Sequence, residues 1–295
     1  MRATLRSPSR GFVTMATGRD EYYILASNLL VSYKRFNPNP LPFAIICDRK
    51  NEYTESFDDV VMLDNPSCSF LDKLRLVDLA PYDETIFIDA DSLVYKCLDG
   101  LWDVVKDAPD FGIFGAVLDP ESPLGRIEIE RSGRLRERMR FPCICQGGMY
   151  FIRKTPVLRD FLELCQDILT HFSEFQKPGD PYPSDDTIFP LACSVFGFRP
   201  PEDWWRLFCF YPESKIYGMD IKSGFLDYVW TVEGERLGPE CFFVHFSVKG
   251  TREWPYKREA YRLKCLSEGK RPSISRLAAI WCLSESKRWV KRMIR

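Results

Sequence analysis

Asp89 and Asp91 stand one residue apart inside the apolar stretch Ile86–Val94, IFIDADSLV. The spacing predicts a short buried strand over Thr85–Ile88 that ends in Asp89-Ala90-Asp91, because apolar runs of this kind suit a strand covered on both faces. Two side chains one residue apart on an extended backbone project to the same side. In open α/β sheets the carboxyl ends of the strands are where ligands bind. Two hard anionic oxygen groups at such a place could hold a divalent cation, and the cation could carry a diphosphate. The plainer alternative is a polar strand end closing into a turn.

Composition limits the classes open to the chain. Its 295 residues suit one large domain, or a domain with an appendage. With 45% apolar and 14% aromatic residues it can bury a sizeable core. A net charge of −1 argues against a general nucleic-acid binder. The charge is uneven, however. Arg252–Arg295 holds thirteen Lys/Arg against four Asp/Glu, so an acidic body carries a basic tail. Eleven cysteines without paired spacing imply reduced, intracellular thiols rather than a disulfide scaffold. The basic N-terminus MRATLRSPSR has no apolar core of a signal peptide, and no apolar run is long enough to span a membrane. A cytoplasmic protein is expected.

The elements that must position the aspartates follow from periodicity. Gly11–Ala16 is an apolar strand, Asp20 can cap a helix, and Tyr22, Leu25, Leu29, Tyr33 and Phe36 recur at helical spacing. Leu41–Cys47 and Val60–Leu63 are further strands, which makes a βαβ unit within about fifty residues. Leu71–Ala80, ended by Pro81, is expected as a helix carrying Lys73 and Arg75. Leu101–Lys106 is a short helix and Phe111–Val117 a strand. Asp119–Pro142 is an arginine-rich inserted loop, and Gly147 and Gly148 mark a close backbone approach on the strand that follows. Val157–Thr170 is a helix, and Ser184 is a candidate cap for another that starts Asp185-Asp186. Short strands are expected around Lys215–Tyr217 and over Cys241–Val244, the latter leading into His245. Residues beyond Trp254 form a basic helical tail.

Taken together, FVTMATGRDEYY, LDKLRLVDLAPYDETIFIDADSLV, QGGMYFIRK, DDTIF and VHFSVKG resemble the GT-A glycosyltransferases, and more narrowly the family of glycogenin and the bacterial lipopolysaccharide galactosyltransferases. The resemblance covers residues 11–256. It implies a single α/β domain with a mixed, mostly parallel sheet and helices on both faces, between a short lead (1–10) and the basic tail (257–295). It also implies a nucleotide-sugar donor, expected as a UDP-sugar, Mn²⁺ with Mg²⁺ as the alternative, and transfer with retention of anomeric configuration.

Residue by residue, the resemblance makes Asp89, Asp91 and His245 the metal ligands. A nitrogen ligand tilts the choice towards Mn²⁺. Met15, Ala16, Thr17 and Tyr22 match positions that cradle the nucleotide, although strand core and helix core would explain the same residues. Lys73 matches a basic residue placed on the donor. Gln146, Gly147 and Gly148 match a segment that usually begins with Asn. Asp185 and Asp186 match a pair at the donor-sugar pocket, where the helix dipole alone would also favour carboxylates. Ala90 lies between the metal aspartates. Lys249 and Gly250 offer a cation for the diphosphate, with Arg252 as the alternative. Gln146, Asp185 and Asp186 are thus the expected catalytic group, with Asp185 positioning the sugar hydroxyls. Asp119–Pro142 and Gln176–Pro183 are expected to frame an acceptor, whether glycan, lipid or protein.

Rival readings are weaker. A sugar-nucleotide pyrophosphorylase or a dinucleotide dehydrogenase would need a glycine-rich loop that GFVTMATGRD lacks. A non-catalytic nucleotide-sugar-binding module, or a protein that docks on a partner or membrane, stays open. The tail gathers Lys287, Arg288, Lys291, Arg292 and Arg295 beside Trp289, Val290, Met293 and Ile294, which suits either a partner or peripheral contact with an anionic membrane.

Overall fold

The computed structural model describes residues 9–119, 135–175, 182–201, 206–211, 214–230, 236–237 and 241–293. The expected acceptor-framing segments fall mostly outside these residues. The elements run β1 (Arg10–Ala16), α1 (Asp20–Phe36), β2 (Phe43–Cys47), β3 (Asp59–Met62), a 3₁₀ turn (Phe70–Arg75), α2 (Leu76–Leu79), β4 (Glu84–Ile88), β5 (Ser92–Val94), α3 (Gly100–Val105), β6 (Phe111–Val117) and β7 (Cys143–Arg153). After these come α4 (Val157–Thr170), α5 (Phe172–Phe175), α6 (Asp185–Phe196), β8 (Phe208–Phe210), β9 (Ser214–Asp220), β10 (Phe225–Trp230), β11 (Arg236–Leu237), β12 (Phe243–His245), α7 (Ser247–Gly250), α8 (Trp254–Ser267) and α9 (Ile274–Met293).

The chain forms two compact units. The first holds a six-stranded sheet in the order β3-β2-β1-β4-β7-β6. β1, β2, β3 and β4 pair in parallel, and β7 alone runs against both of its neighbours, β4 and β6. Val13, Met15, Ala44, Ile46, Phe87, Tyr150 and Ile152 on one sheet face share a core with Leu158, Phe161 and Cys165 of α4 and Ile188, Phe189 and Ala192 of α6. Phe12, Phe43, Ile86 and Phe151, which point the other way along their strands, are fully buried too. Burial on both faces is why these strands read as unbroken apolar runs rather than alternating ones.

Lys73 does not sit on the α-helix expected over Leu71–Ala80. Residues 70–75 form a 3₁₀ turn whose start is held by Ser69, which accepts from the Leu71 N–H at 3.2 Å, and only Leu76–Leu79 is α-helical before Pro81. The tighter turn has three residues per repeat, so side chains at i and i+3 eclipse. Phe70 and Lys73 therefore face the same way.

The second unit contains α1, two three-stranded sheets (β11-β10-β9 and β5-β12-β8) and the C-terminal helices. On α1 the buried stripe is Tyr23, Leu25, Ala26, Leu29, Leu30, Ser32 and Tyr33. Tyr23 takes the buried place, and Tyr22 is left half-buried. α8 packs into this unit through Tyr256, Glu259, Leu263 and Cys265, whereas α9 leaves Ile274, Trp281 and Leu283 exposed. Among the described residues no helix is long and apolar enough to cross a membrane. All eleven cysteines are free thiols.

Candidate active site

In the first unit, three elements bring charged groups to the carboxyl end of β4. Asp89 follows that strand, and its N–H donates to the Gly148 carbonyl at 3.0 Å. Lys73 donates to Asp89 Oδ2 at 2.7 Å and to the Gly147 carbonyl at 3.1 Å, and its Nζ lies 3.3 Å from Asp185 Oδ2. Asp185 opens α6, and Tyr150 of β7 donates its hydroxyl to Asp185 Oδ2 at 2.6 Å. Lys73 and Asp185 are nearly sequestered from solvent, at 8% and 2% exposure. A buried lysine between two carboxylates is the compensation that buried charge requires.

Burial pushes the Asp185 carboxyl above its usual range. The Lys73 cation and the Tyr150 hydroxyl oppose that rise, while Asp186 and Asp89 add to it. Burial likewise pushes up the Tyr150 hydroxyl, with the Asp185 charge as the next cause. Tyr150 therefore stays a proton donor and fixes one oxygen of Asp185. Gly147 leaves room for the Asp185 carboxylate. A Cβ there would lie 2.9 Å from Asp185 Oδ2 and 3.4 Å from the Tyr150 hydroxyl.

The end of β1 is tied to the same 3₁₀ turn. Thr17 donates to Asp72 Oδ2 at 3.0 Å, and the Ser67 N–H and hydroxyl donate to Asp72 Oδ1 at 2.7 Å each. Met15 and Ala16 are buried in β1. Gln146 is half-buried on β7 beside Gly147, and Asp186 accepts from Ser184. Ser184 occupies the cap position of α6, but it spends its hydroxyl on Asp186 rather than on a backbone N–H.

In the second unit, β12 lies between β5 and β8, with His245 opposite Ser92 in register. The Phe246 N–H donates to the Asp91 carbonyl at 3.1 Å. These backbone pairings bring His245 Nε2 to 3.0 Å from Asp91 Oδ1. Both residues are buried. Asp91 Oδ1 nonetheless has no hydrogen-bond partner among the described residues. A buried carboxylate oxygen facing an imidazole nitrogen at this distance suits two donor atoms converging on one cation. Asp89 and Asp91 flank Ala90, so covalent geometry alone keeps their Cα atoms within about 7 Å of each other. The donor set fits a hard or borderline divalent ion.

Other expected residues have plainer surroundings. Lys249 is exposed on α7, and Gly250 is buried where a Cβ would meet Tyr211 at 2.8 Å. Arg252 is exposed and 3.4 Å from Glu21. Ala90 is buried. Two residues that carry the site geometry, Tyr150 and Asp72, were missed by sequence reasoning. Tyr150 lies within the QGGMY stretch and Asp72 immediately precedes Lys73, but only the fold reveals their partners.

No protein-family model matches the chain, and no curated protein matches its sequence. Solved structures do. Over 92% of this chain and 99% of the other, it is similar to the galactosyltransferase LgtC solved with donor and acceptor sugar analogues, at TM-score 0.54 and 12% identity. The fold is that of the GT-A glycosyltransferases. Likeness extends to the bifunctional glycosyltransferase WbbM, at TM-score 0.56 and 13% identity over 95% of this chain and 53% of that one. The GT-A fold accounts for the mixed, mostly parallel sheet.

Proposed function

We propose that the chain is a metal-dependent glycosyltransferase that moves a sugar from a nucleoside-diphosphate donor, a UDP-sugar, to an acceptor hydroxyl with retention. The observation that carries this reading is Lys73, held between Asp89 and Asp185 at the end of β4 on a GT-A fold. The acceptor oxygen forms a bond to the anomeric carbon, the bond from that carbon to the diphosphate oxygen breaks, and the acceptor proton leaves to the diphosphate or to solvent.

The residues divide this work. Asp89, Asp91 and His245 would hold a divalent ion, Mn²⁺ in preference to Mg²⁺. Such an ion neutralises charge on a departing diphosphate, a contribution of several kcal/mol. Lys73, with Lys249 and Gly250, contacts the donor from the protein side. Asp185, oriented by Tyr150, accepts hydrogen bonds from the sugar hydroxyls and offsets positive charge growing at the anomeric carbon. Asp186 and Gln146 complete the sugar pocket, and Gly147 and Gly148 leave it room. Met15, Ala16, Thr17 and Tyr22 cradle the nucleotide. Residues 11–256 form the transferase domain.

LgtC was solved with both a donor and an acceptor sugar analogue, which supports a sugar-bearing acceptor here. The exposed Ile274 and Trp281, seven residues apart and so on one side of α9, favour a second, compatible role for the basic tail in peripheral membrane contact of a cytoplasmic enzyme. The deciding experiment is a thermal-shift screen of UDP-glucose, UDP-galactose, UDP-xylose, UDP-N-acetylglucosamine, GDP-mannose and UDP, each with Mn²⁺ and with EDTA. A ligand that binds only the folded chain at a hundredfold excess over Kd stabilises it by about 2.7 kcal/mol. A metal-dependent shift with one donor is expected. No shift with any nucleotide favours a non-catalytic docking protein.

A further inference from the structure

Phe70 and Tyr182 form an exposed aromatic pair beside the Lys73 cluster. Their ring centroids are 6.4 Å apart with planes 14° from parallel. They keep 47% and 52% of their surface in solvent. Large aromatic surface left in water in this way is a feature that burial statistics single out. Each ring lies three residues ahead of a cluster member, Phe70 before Lys73 and Tyr182 before Asp185. The 3₁₀ turn eclipses Phe70 with Lys73, whose Nζ is 5.9 Å from the Phe70 ring centroid.

We propose that Phe70 and Tyr182 are the platform on which a pyranose ring of the acceptor lies. The C–H face of a pyranose is apolar and its rim carries hydroxyls. An aromatic face covers the first and leaves the second to polar groups, here including the Tyr182 hydroxyl. This rests on the glycosyltransferase reading above. Under that reading the anomeric carbon sits near Lys73, Asp89 and Asp185. A nucleobase is separated from that carbon by two phosphates and a ribose, so a ring 5.9 Å from Lys73 Nζ borders the acceptor's approach rather than the base.

The test uses saturation-transfer NMR on the full chain with Mg²⁺, diamagnetic where Mn²⁺ would broaden the ligand signals, UDP and, in turn, lactose, maltose and methyl α-mannopyranoside. Wild type is expected to transfer saturation to the ring C–H protons of at least one sugar and to the UDP base. Phe70→Ala and Tyr182→Ala weaken that sugar about tenfold, the usual scale for one aromatic contact, and leave UDP unchanged. Tyr182→Phe retains most of the sugar signal. Equal sugar binding by wild type and both alanine variants overturns the platform, as does loss of the UDP base signal in the variants while the sugar signal stays. Absence of binding by all three sugars to wild type also counts against it. Failure of UDP to bind wild type is a separate result, and sinks the functional reading itself. Both side chains are exposed, so melting temperatures of the variants serve as the check on folding.

Discussion

The Lys73 ammonium lies 2.7 Å from Asp89 Oδ2, with the lysine buried and the aspartate partly so. One cation thus offsets two carboxylates, Asp89 and Asp185. Lys73→Met keeps the stem and removes the charge, leaving both carboxylates uncompensated. It is expected to lower stability by about 3 kcal/mol, the scale for breaking a buried pair. Turnover of the donor is expected to fall at least about a hundredfold, the scale for losing one preorganised donor. Urea denaturation and steady-state kinetics read the two effects separately. Wild-type kcat/KM in this variant would show that the lysine only neutralises a buried site.

Asp91 makes the opposite case. Its Oδ1 is buried without a hydrogen-bond partner among the described residues and faces His245 Nε2 at 3.0 Å. Asn at this position keeps the shape and removes a buried charge whose desolvation is incompletely offset in the metal-free protein. Asp91→Asn should therefore leave the melting temperature without metal within about 3 °C of wild type. The same substitution should abolish the added stability conferred by Mn²⁺ and the transfer activity. A large fall in metal-free melting temperature would make Asp91 a structural residue instead.

The strand ending at Asp89 and the helix starting at Asp185 could be read from apolar runs and turn residues. That is information carried within about ten consecutive residues. Contacts among Lys73, Asp89, Asp185 and Tyr150 could not. They join residues as far as 112 positions apart (Lys73 to Asp185), and no spacing rule links them. The conformation around Lys73 was misread for a related reason. Leu71, Leu74 and Val77 have a three-residue spacing that suits a 3₁₀ turn as well as an α-helix, so the pattern does not choose between the two. Tyr22 and Tyr23 illustrate a finer limit, since adjacent tyrosines at a helix start differ by 100° and periodicity alone chose the one that stays half-exposed.

Gly147 gives a prediction that separates site geometry from folding. A methyl group there would stand 2.9 Å from Asp185 Oδ2 and 3.5 Å from Lys73 Nζ. The carboxylate would have to move, weakening its bonds to Tyr150 and Lys73. Gly147→Ala is expected to cost about 1 kcal/mol of stability, the low end for overpacking. It should lower kcat far more than it raises the KM for the donor. Wild-type kcat in this variant would contradict this account. A crystal structure of the variant would show directly whether the Asp185 side chain has rotated.

At the start of β4, the end away from Asp89, Glu84 is clamped by Arg10 at 2.7 Å and Arg153 at 2.8 Å. The three residues sit side by side in the strand register, Arg10 opposite Glu84 in β1 and β4, and Glu84 opposite Arg153 in β4 and β7. Desolvation pushes the Glu84 carboxyl up, but the two arginines outweigh it and hold the carboxyl below its ordinary value. A carboxyl depressed in the folded state binds its proton more readily in the unfolded chain. Its contribution is therefore complete above the unfolded pKa and is lost as pH falls through the folded one. Glu84→Gln should cost roughly 2 kcal/mol at neutral pH, the scale for a charge-assisted hydrogen bond. Against wild type, the difference should shrink as the pH drops below about 4.3, the unfolded value for glutamate. Urea titrations of both proteins across that range measure it. A difference that stays constant down to acidic pH would mean that Glu84 acts through packing and not through its charge.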